Sequence, residues 1–459
     1  MISSLSSRLI SFLKAWFGDF NREELKKFIK LGVIFALVIG VYWTLRPLKD
    51  SIFGSMVNPS NQPLAKWVSL IVMFPLVIIY SKLLDKFPRH RLFYVLGTIF
   101  AAGTFIFGGL FLHPTIGLAN TTISSYRIAA WAWYVFVEAY GSILVALFWA
   151  FAADMVDPES AKRGFPLVVM IGQLGSIFGP WYLTPLGLKF FGTSAPTIMI
   201  CGLLIIVLMG AVYLFMKTTP ASQLQGYHGA KDEKEKGAEP GFLEGLRLLI
   251  SQPYLMGIFG IIAIYEIIIT IIDFNFKFLV NTTLASEVER TAYLGDYAVW
   301  VNVVSFFCLL FGISNIQRRL GLKASLVLMP FIVLIMVIGF KAYPVVHVLF
   351  YIMVAAKAIN YALNSPAQKT LYVPTSRDVK YRSQAWIETF GSRSSKAAGS
   401  GINLLVKPFQ ARWGAIDGRA IYMAVSCYFS FGLIAAWVLV ALYLGKTYEK
   451  AVSEKRIVC

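Results

Sequence analysis

The sequence predicts an all-α polytopic membrane protein with twelve transmembrane helices, because of its composition and the spacing of its apolar runs. Of its 459 residues, 57% are hydrophobic and only 14% are charged, whereas about 25% of a soluble globular protein is charged. Stretches such as 92–112 and 195–216 contain no charged residue, and runs of roughly 18 or more apolar residues match a bilayer core. Backbone groups in hydrocarbon must find partners within their own segment, so each run is a helix. A water-soluble fold is excluded.

The ends of the spans are marked by glycines, prolines and clusters of charge. The twelve predicted spans are 28–46, 64–84, 92–112, 129–152, 165–187, 195–216, 254–276, 293–315, 322–341, 345–364, 383–406 and 420–445. A polar linker separates the sixth span from the seventh. The predicted organisation is an N-terminal segment at 1–27, a six-helix bundle at 28–216, a linker at 217–253, a six-helix bundle at 254–445 and a tail at 446–459.

The distribution of basic residues predicts that both termini are cytoplasmic. Loops on that side hold lysines and arginines such as Lys82, Lys86, Arg318 and Arg319, whereas the opposite 113–128 segment holds only Arg127. Cytoplasmic loops of membrane proteins carry such an excess. The net charge of +18 is therefore attributed to topology and to the lipid bilayer, and no nucleic-acid partner is expected.

The two halves of the chain repeat each other. Arg163 is followed nine residues later by Gly172, and Arg382 is followed nine residues later by Gly391. Two parallel six-helix repeats joined by a cytoplasmic connector are typical of major-facilitator transporters, whose binding site lies near the bilayer midplane. We therefore expect two six-helix pseudo-repeat bundles of major-facilitator type, acting as a monomer.

Ionisable side chains inside the first half mark a candidate pathway, because a charge within a span is costly. Arg46, Lys49 and Asp50 share one face of the first span through i,i+3 and i,i+4 spacing. The alternative is an interfacial cluster whose side chains snorkel to the headgroups. Glu138 in the fourth span is a proton-coupling group, a partner for a substrate-binding lysine, or a residue near the outer interface.

The second half carries more cations than carboxylates inside its spans. Its candidate residues are Asp273, Asn275, Lys277, Lys357, Asn360, Arg393 and Lys396. Asp273 and Lys277 have the spacing of an i,i+4 ion pair, which either stabilises the structure or opens when an anionic substrate competes for the lysine. Since buried cations are expensive unless neutralised, the surplus favours an anionic cargo, and Asn275 or Asn360 is a candidate reader of a base or ribose.

No enzyme signature is apparent. The four histidines and four cysteines are scattered, without the spacing of a metal site or a disulfide framework. Gly445-Lys-Thr ends like a phosphate-binding loop, but Val440 stands at the position of its first glycine. We predict a protein that is not an enzyme, with no catalytic residue, cofactor or metal.

Several motifs resemble one family over essentially the whole chain. They are Thr44-Leu-Arg46-Pro-Leu-Lys49-Asp50, Phe148-Trp149-Ala-Phe151-Ala, Asp273-Phe-Asn-Phe-Lys277, Tyr372-Val-Pro374 and Gly391-Ser-Arg393-Ser-Ser-Lys396. In this order they resemble the signatures of the bacterial and plastid ATP/ADP translocase, or nucleotide transporter, family. The chain looks like a divergent member of it, because Asn360 stands where the family has a lysine.

The resemblance implies ATP/ADP antiport or nucleotide import across the inner or cell membrane of a bacterium or a plastid-type inner membrane. By motif position it implies a transport role for Lys49, Glu138, Asp273, Lys277, Arg393 and Lys396. The expected mechanism is alternating access with a cationic central site. The alternative function is a major-facilitator carrier of another organic anion, such as a sugar phosphate or a dinucleotide, with or without proton coupling.

Overall fold

The computed structural model describes residues 21–156, 158–220, 242–310, 314–376, 384, 386–387 and 391–458. All regular secondary structure in these ranges is helical. The helices are α1 Arg22–Met56, α2 Gln62–Lys86, α3 Arg89–Leu112, α4 Ile128–Asp154, α5 Pro158–Phe191, α6 Ala195–Thr218, α7 Phe242–Ser251, α8 Pro253–Thr283, α9 Glu287–Leu310, α10 Ser314–Ala342, α11 Val346–Ile359, α12 Ser365–Thr370, α13 Ser392–Asn403, α14 Val406–Trp413 and α15 Ala415–Ser453. A 3₁₀ turn at Pro59–Asn61 precedes α2, and a π-helical turn at Asn360–Asn364 joins α11 to α12.

Some of the sequence expectations concern residues that lie outside these ranges. They are most of the N-terminal segment and the linker, together with the side chains of Arg163, Arg318, Arg319 and Arg382.

Within the described ranges, nine helices are long and apolar enough to cross a bilayer. They correspond to predicted spans one to seven, nine and twelve. The segment at the ninth predicted span starts at Gly321, whose φ of 80° is a backbone conformation that favours glycine. At the eighth predicted position lies α9, which has 24 residues and is not among these nine. The tenth and eleventh positions hold the shorter helices α11, of 14 residues, and α13, of 12 residues. The all-α membrane fold is confirmed, and the count of twelve spans stays a prediction.

The described residues form two compact units. The N-terminal unit contains the described residues of 21–56, 71–220 and 286–299, and the C-terminal unit contains those of 57–70, 242–285 and 300–458. Each unit therefore includes a segment from the opposite half of the sequence, namely the first part of α9 in the N-terminal unit and the first part of α2 in the C-terminal unit.

Polar contacts hold the first part of α9 in the N-terminal unit. The Glu287 carboxylate accepts hydrogen bonds from the hydroxyls of Ser194 and of Thr291, the latter over 2.7 Å. The Ser51 hydroxyl donates to the Glu287 carbonyl over 3.0 Å, and the Arg290 guanidinium donates to Ser55 over 3.0 Å. These bonds satisfy polar groups that are costly to bury alone.

Contacts of the same kind hold the start of α2 in the C-terminal unit. The Lys407 ammonium donates to the Asn61 side-chain oxygen, and the Ser60 hydroxyl donates to Gln410 over 3.3 Å.

In the N-terminal unit, α1 and α5 pack at backbone distance through glycines. A Cβ at Gly175 would lie 2.1 Å from the Ala36 carbonyl oxygen, and one at Gly179 would lie 2.5 Å from the Gly40 carbonyl oxygen. Small residues at a helix interface allow such close approach. This packing fixes the position of α1, which carries the charged residues of the first span.

In the C-terminal unit, hydrogen bonds join α8, α13 and α15. The Asn403 amide donates to the Thr270 carbonyl over 3.2 Å, and the Tyr422 hydroxyl donates to the Asn403 side-chain oxygen over 2.6 Å. All three residues are buried. Because Asn403 uses both ends of its amide, it connects α8 to α15 and fixes the rotation of α8.

Replacing Gly175 by alanine should destabilise the protein, because the new Cβ would meet the Ala36 carbonyl oxygen at 2.1 Å. Overpacking of this kind costs about 1–3 kcal/mol, and the melting temperature of the purified protein in detergent should fall. The matched control is Gly210→Ala on α6, where a Cβ would meet nothing within 4 Å. Equal melting temperatures for the two variants would contradict the close packing of α1 on α5.

Candidate functional site

In the N-terminal unit, the charged residues of α1 form a buried ion pair with α4. Lys49 is only 3% exposed, and its ammonium group contacts the Glu138 carboxylate and lies 3.7 Å from Asp50 Oδ1. It also lies 4.3 Å from the centroid of the Tyr134 ring, a favourable cation–π position. The burial of Lys49 and Asp50 argues against the snorkelling alternative for these two residues.

Arg46 completes this group on α1. Its guanidinium lies 5.0 Å from the ring centroid of Trp43, and its side chain is half-buried. Arg46, Lys49, Asp50 and Glu138 together carry two positive and two negative formal charges.

In the C-terminal unit, one carboxylate oxygen serves two lysines. Asp273 Oδ2 lies 2.9 Å from Lys277 Nζ and 3.5 Å from Lys66 Nζ. The i,i+4 pair expected from the sequence is therefore present, and Lys277 and Asp273 are both buried. Two ammonium groups around one carboxylate give these three residues a formal surplus of one positive charge.

Lys66 was absent from the candidates drawn from the sequence. It stands near the start of the second predicted span, where a lysine among apolar residues is the only signal that marks it. Its partner Asp273 lies 207 positions away in the chain, which no local spacing indicates.

Asn275 is separated from this cluster by its position on α8. Two residues correspond to a rotation of about 200° around a helix, so it points away from Asp273. It is fully buried and donates to the Ile271 carbonyl over 2.9 Å.

A third polar group of the C-terminal unit is centred on Glu266. The Ser392 hydroxyl donates to Glu266 Oε1 over 3.0 Å, and Lys396 Nζ lies 3.5 Å from the same oxygen. Beside it is a cavity of about 270 Å³ lined by Ile262, Tyr265, Glu266, Asn360, Ser365, Gln368, Lys369, Tyr372 and Ser392. Asn360 begins the π-helical turn, a local widening of the helix that is frequent at functional sites.

The remaining candidates lie near this cavity in the chain but do not line it. Lys357 is half-buried on α11, and Arg393 is half-buried on α13. The side chain of Lys396 is 53% exposed. The structure therefore places Arg46, Lys49, Asp50 and Glu138 in one unit and brings Asp273 and Lys277 together in the other. In that second unit Asn360 lines the cavity beside Glu266, and Lys396 contacts Glu266.

Among the residues that the structure describes, no group of three or more histidine, cysteine, aspartate or glutamate side chains is placed to hold a metal ion.

Comparison with known proteins identifies relatives along nearly the whole chain. ADP,ATP carrier protein 3 of Rickettsia bellii is 25% identical over an alignment that covers 94% of this chain and 96% of the relative. ADP,ATP carrier protein 1 of Chlamydia pneumoniae is 24% identical, with 97% and 96% covered. The chloroplastic ADP,ATP carrier protein 2 of Arabidopsis thaliana is 22% identical, with 94% of this chain and 76% of the relative covered.

Several solved structures have a fold similar to that of this chain. The nucleoside transporter NupG superposes with a TM-score of 0.61 at 15% identity, covering 90% of this chain and 98% of NupG. A bacterial homologue of the iron transporter ferroportin gives a TM-score of 0.60 at 13% identity, covering 92% of this chain and 98% of the other. At such identities the likeness concerns the fold alone, which is of major-facilitator type.

The model of the TLC ATP/ADP transporter family matches residues 4–355, which is most of the 459-residue chain. The matched family and the relatives are transporters and not enzymes, as the sequence predicts. This protein belongs to the TLC ATP/ADP transporter family.

Proposed function

We propose that the protein transports nucleotides across a bacterial or plastid-type membrane, by ATP/ADP exchange or by nucleotide import. The names of its relatives, the ADP,ATP carriers of Rickettsia and Chlamydia, support this substrate class. The proposal includes a monomer that works by alternating access with both termini in the cytoplasm.

The observation that carries the proposal is the pair of lysines around Asp273. Lys66 and Lys277 both contact one carboxylate oxygen, Oδ2, so two ammonium groups lie side by side. Like charges at short distance repel each other, and an anion that contacts both ammonium groups reduces this repulsion. Phosphate oxygens also accept strong charge-assisted hydrogen bonds from ammonium groups. In this proposal Lys277 exchanges part of its contact with Asp273 for a substrate phosphate.

The N-terminal unit has a different part in the proposal. The Lys49 ammonium contacts Glu138 and Asp50, so a substrate phosphate binds Lys49 only by replacing one of these carboxylates. We propose that these carboxylates keep Lys49 in place when the carrier is empty, and that Arg46 provides a second contact for phosphate. Exchange is favoured over net transport if the empty carrier, with its cations lacking phosphate, reorients slowly.

The second candidate function is proton-coupled transport of another organic anion, such as a sugar phosphate or a dinucleotide. The direct contact of Glu138 with Lys49 favours it, since protonation of Glu138 would release the lysine. Competition between nucleotides and sugar phosphates for uptake separates the two functions, because the primary proposal requires that nucleotides compete far better.

Uptake of labelled ATP by cells that express the protein tests the primary proposal. Lys277→Gln and Lys49→Gln should each lower uptake at least about tenfold, equivalent to about 1.4 kcal/mol, because each removes a phosphate contact. The matched control is Lys341→Gln, which removes a lysine lying 3.9 Å from the Tyr428 ring centroid, away from these clusters. Absence of saturable nucleotide uptake by the wild-type protein, with or without internal ADP, would reject the proposal.

Asp273→Asn tests whether the C-terminal cluster accepts an anion. Without the carboxylate, Lys66 and Lys277 repel each other, and breaking a buried pair costs about 3–5 kcal/mol. The melting temperature of the purified variant should fall, and tripolyphosphate should raise it more than it raises that of the wild type. Glu23→Gln is the control, because the Glu23–Lys26 pair is exposed and such pairs contribute little to stability. An equal response of both variants to tripolyphosphate would count against an anion site at Lys66 and Lys277.

A further inference from the structure

The cavity beside Glu266 is lined mainly by neutral hydrogen-bonding side chains. Asn360 and Gln368 contribute amides, and Ser365 and Ser392 contribute hydroxyls. Asn364 donates to the Asn360 side-chain oxygen over 2.8 Å, which fixes the orientation of that amide and leaves its NH₂ group as the donor. An amide has both donors and acceptors, and Asn or Gln side chains pair with the edge of adenine through two hydrogen bonds.

Glu266 adds an acceptor of fixed orientation to the same cavity. Ser392 and Lys396 both contact Oε1. In the part of the chain that the structure describes, neither contact uses Oε2. In dinucleotide-binding folds a carboxylate accepts a hydrogen bond from a ribose hydroxyl. Most of the polar groups that line the cavity are neutral donors and acceptors, so the cavity suits a heterocycle and a sugar.

The geometry of α8 relates this cavity to the two lysines around Asp273. Glu266 and Asp273 are seven residues apart, which places them within about 20° of each other on the helix. Lys277 follows four residues later, within about 40° of Asp273, so the three side chains lie along one face. The rise from Glu266 to Lys277 is about 16 Å, a span comparable to an extended nucleoside triphosphate.

We propose that the cavity lined by Glu266, Asn360, Gln368 and Ser392 binds the base and ribose of the transported nucleotide, while Lys66 and Lys277 bind its phosphates. This inference rests on the proposed function and adds which residues bind each end of the nucleotide. Asn360 and Gln368 read the base, and Glu266 accepts hydrogen bonds from the ribose hydroxyls. Lys369 also lines the cavity, and both Lys369 and Lys396 are exposed.

Binding to the purified full-length protein provides the first test, and it needs no variant. Labelled adenosine and tripolyphosphate should bind at the same time, because each occupies a different place along α8, and unlabelled ATP should displace both. Mutual displacement of adenosine and tripolyphosphate would overturn the assignment of two separate places.

Variants of the cavity provide the second test. Gln368→Leu and Asn360→Leu should each reduce the affinity ratio between ATP and UTP at least fivefold, with the tripolyphosphate affinity unchanged within twofold. Glu266→Gln should reduce the ratio between ATP and 2′,3′-dideoxy-ATP by a similar factor. Gln410→Leu is the matched control, because Gln410 contacts Ser60 and the Ala415 carbonyl outside the cavity.

The outcomes separate this inference from the function on which it rests. If the wild-type protein binds no nucleotide, both the proposed function and the cavity assignment are rejected. A wild-type protein that binds nucleotides without distinguishing bases, or whose base preference survives both leucine substitutions, overturns the cavity assignment alone. Retained tripolyphosphate binding in each variant establishes that it is folded.

Discussion

The cost of burying charge in apolar surroundings is the constraint on which the rest of this structure depends. A chain that is 57% hydrophobic forms helices whose interiors cannot solvate an ammonium group, so each buried lysine needs an anionic or polar partner. The two units meet this requirement differently. Lys49 contacts two carboxylates, whereas Lys66 and Lys277 contact the same oxygen of Asp273. The two neighbouring ammonium groups of the second arrangement are the physical basis of the proposal that the substrate is an anion.

Both charged clusters depend on rigid packing of the helices that carry them. In the N-terminal unit, glycines bring α1 against α5 at backbone distance, which fixes the charged end of α1. In the C-terminal unit, Asn403 connects α8 to α15 through Thr270 and Tyr422. A site that binds phosphate through lysines needs such support, because long side chains lose entropy when they are held in one geometry.

Each unit includes a short segment from the opposite half of the sequence, and this has a consequence for the candidate site. The first part of α2 belongs to the C-terminal unit, and it brings Lys66 to Asp273. The first part of α9 is held in the N-terminal unit by the hydrogen bonds of Glu287. The second lysine that contacts Asp273 is thus supplied by a helix of the first half of the sequence.

The membrane class, the helical secondary structure and the positions of most spans can be predicted from the amino-acid sequence, because hydrophobicity and the bilayer thickness act locally along the chain. The Asp273–Lys277 pair can be predicted in the same way, since residues four apart are neighbours on any helix. The contacts of Lys49 with Glu138, 89 positions away, of Lys66 with Asp273, and of Glu266 with Ser392 become visible only in the folded chain. These contacts depend on how helices are rotated and packed against one another, which is set by long-range contacts that no local spacing encodes.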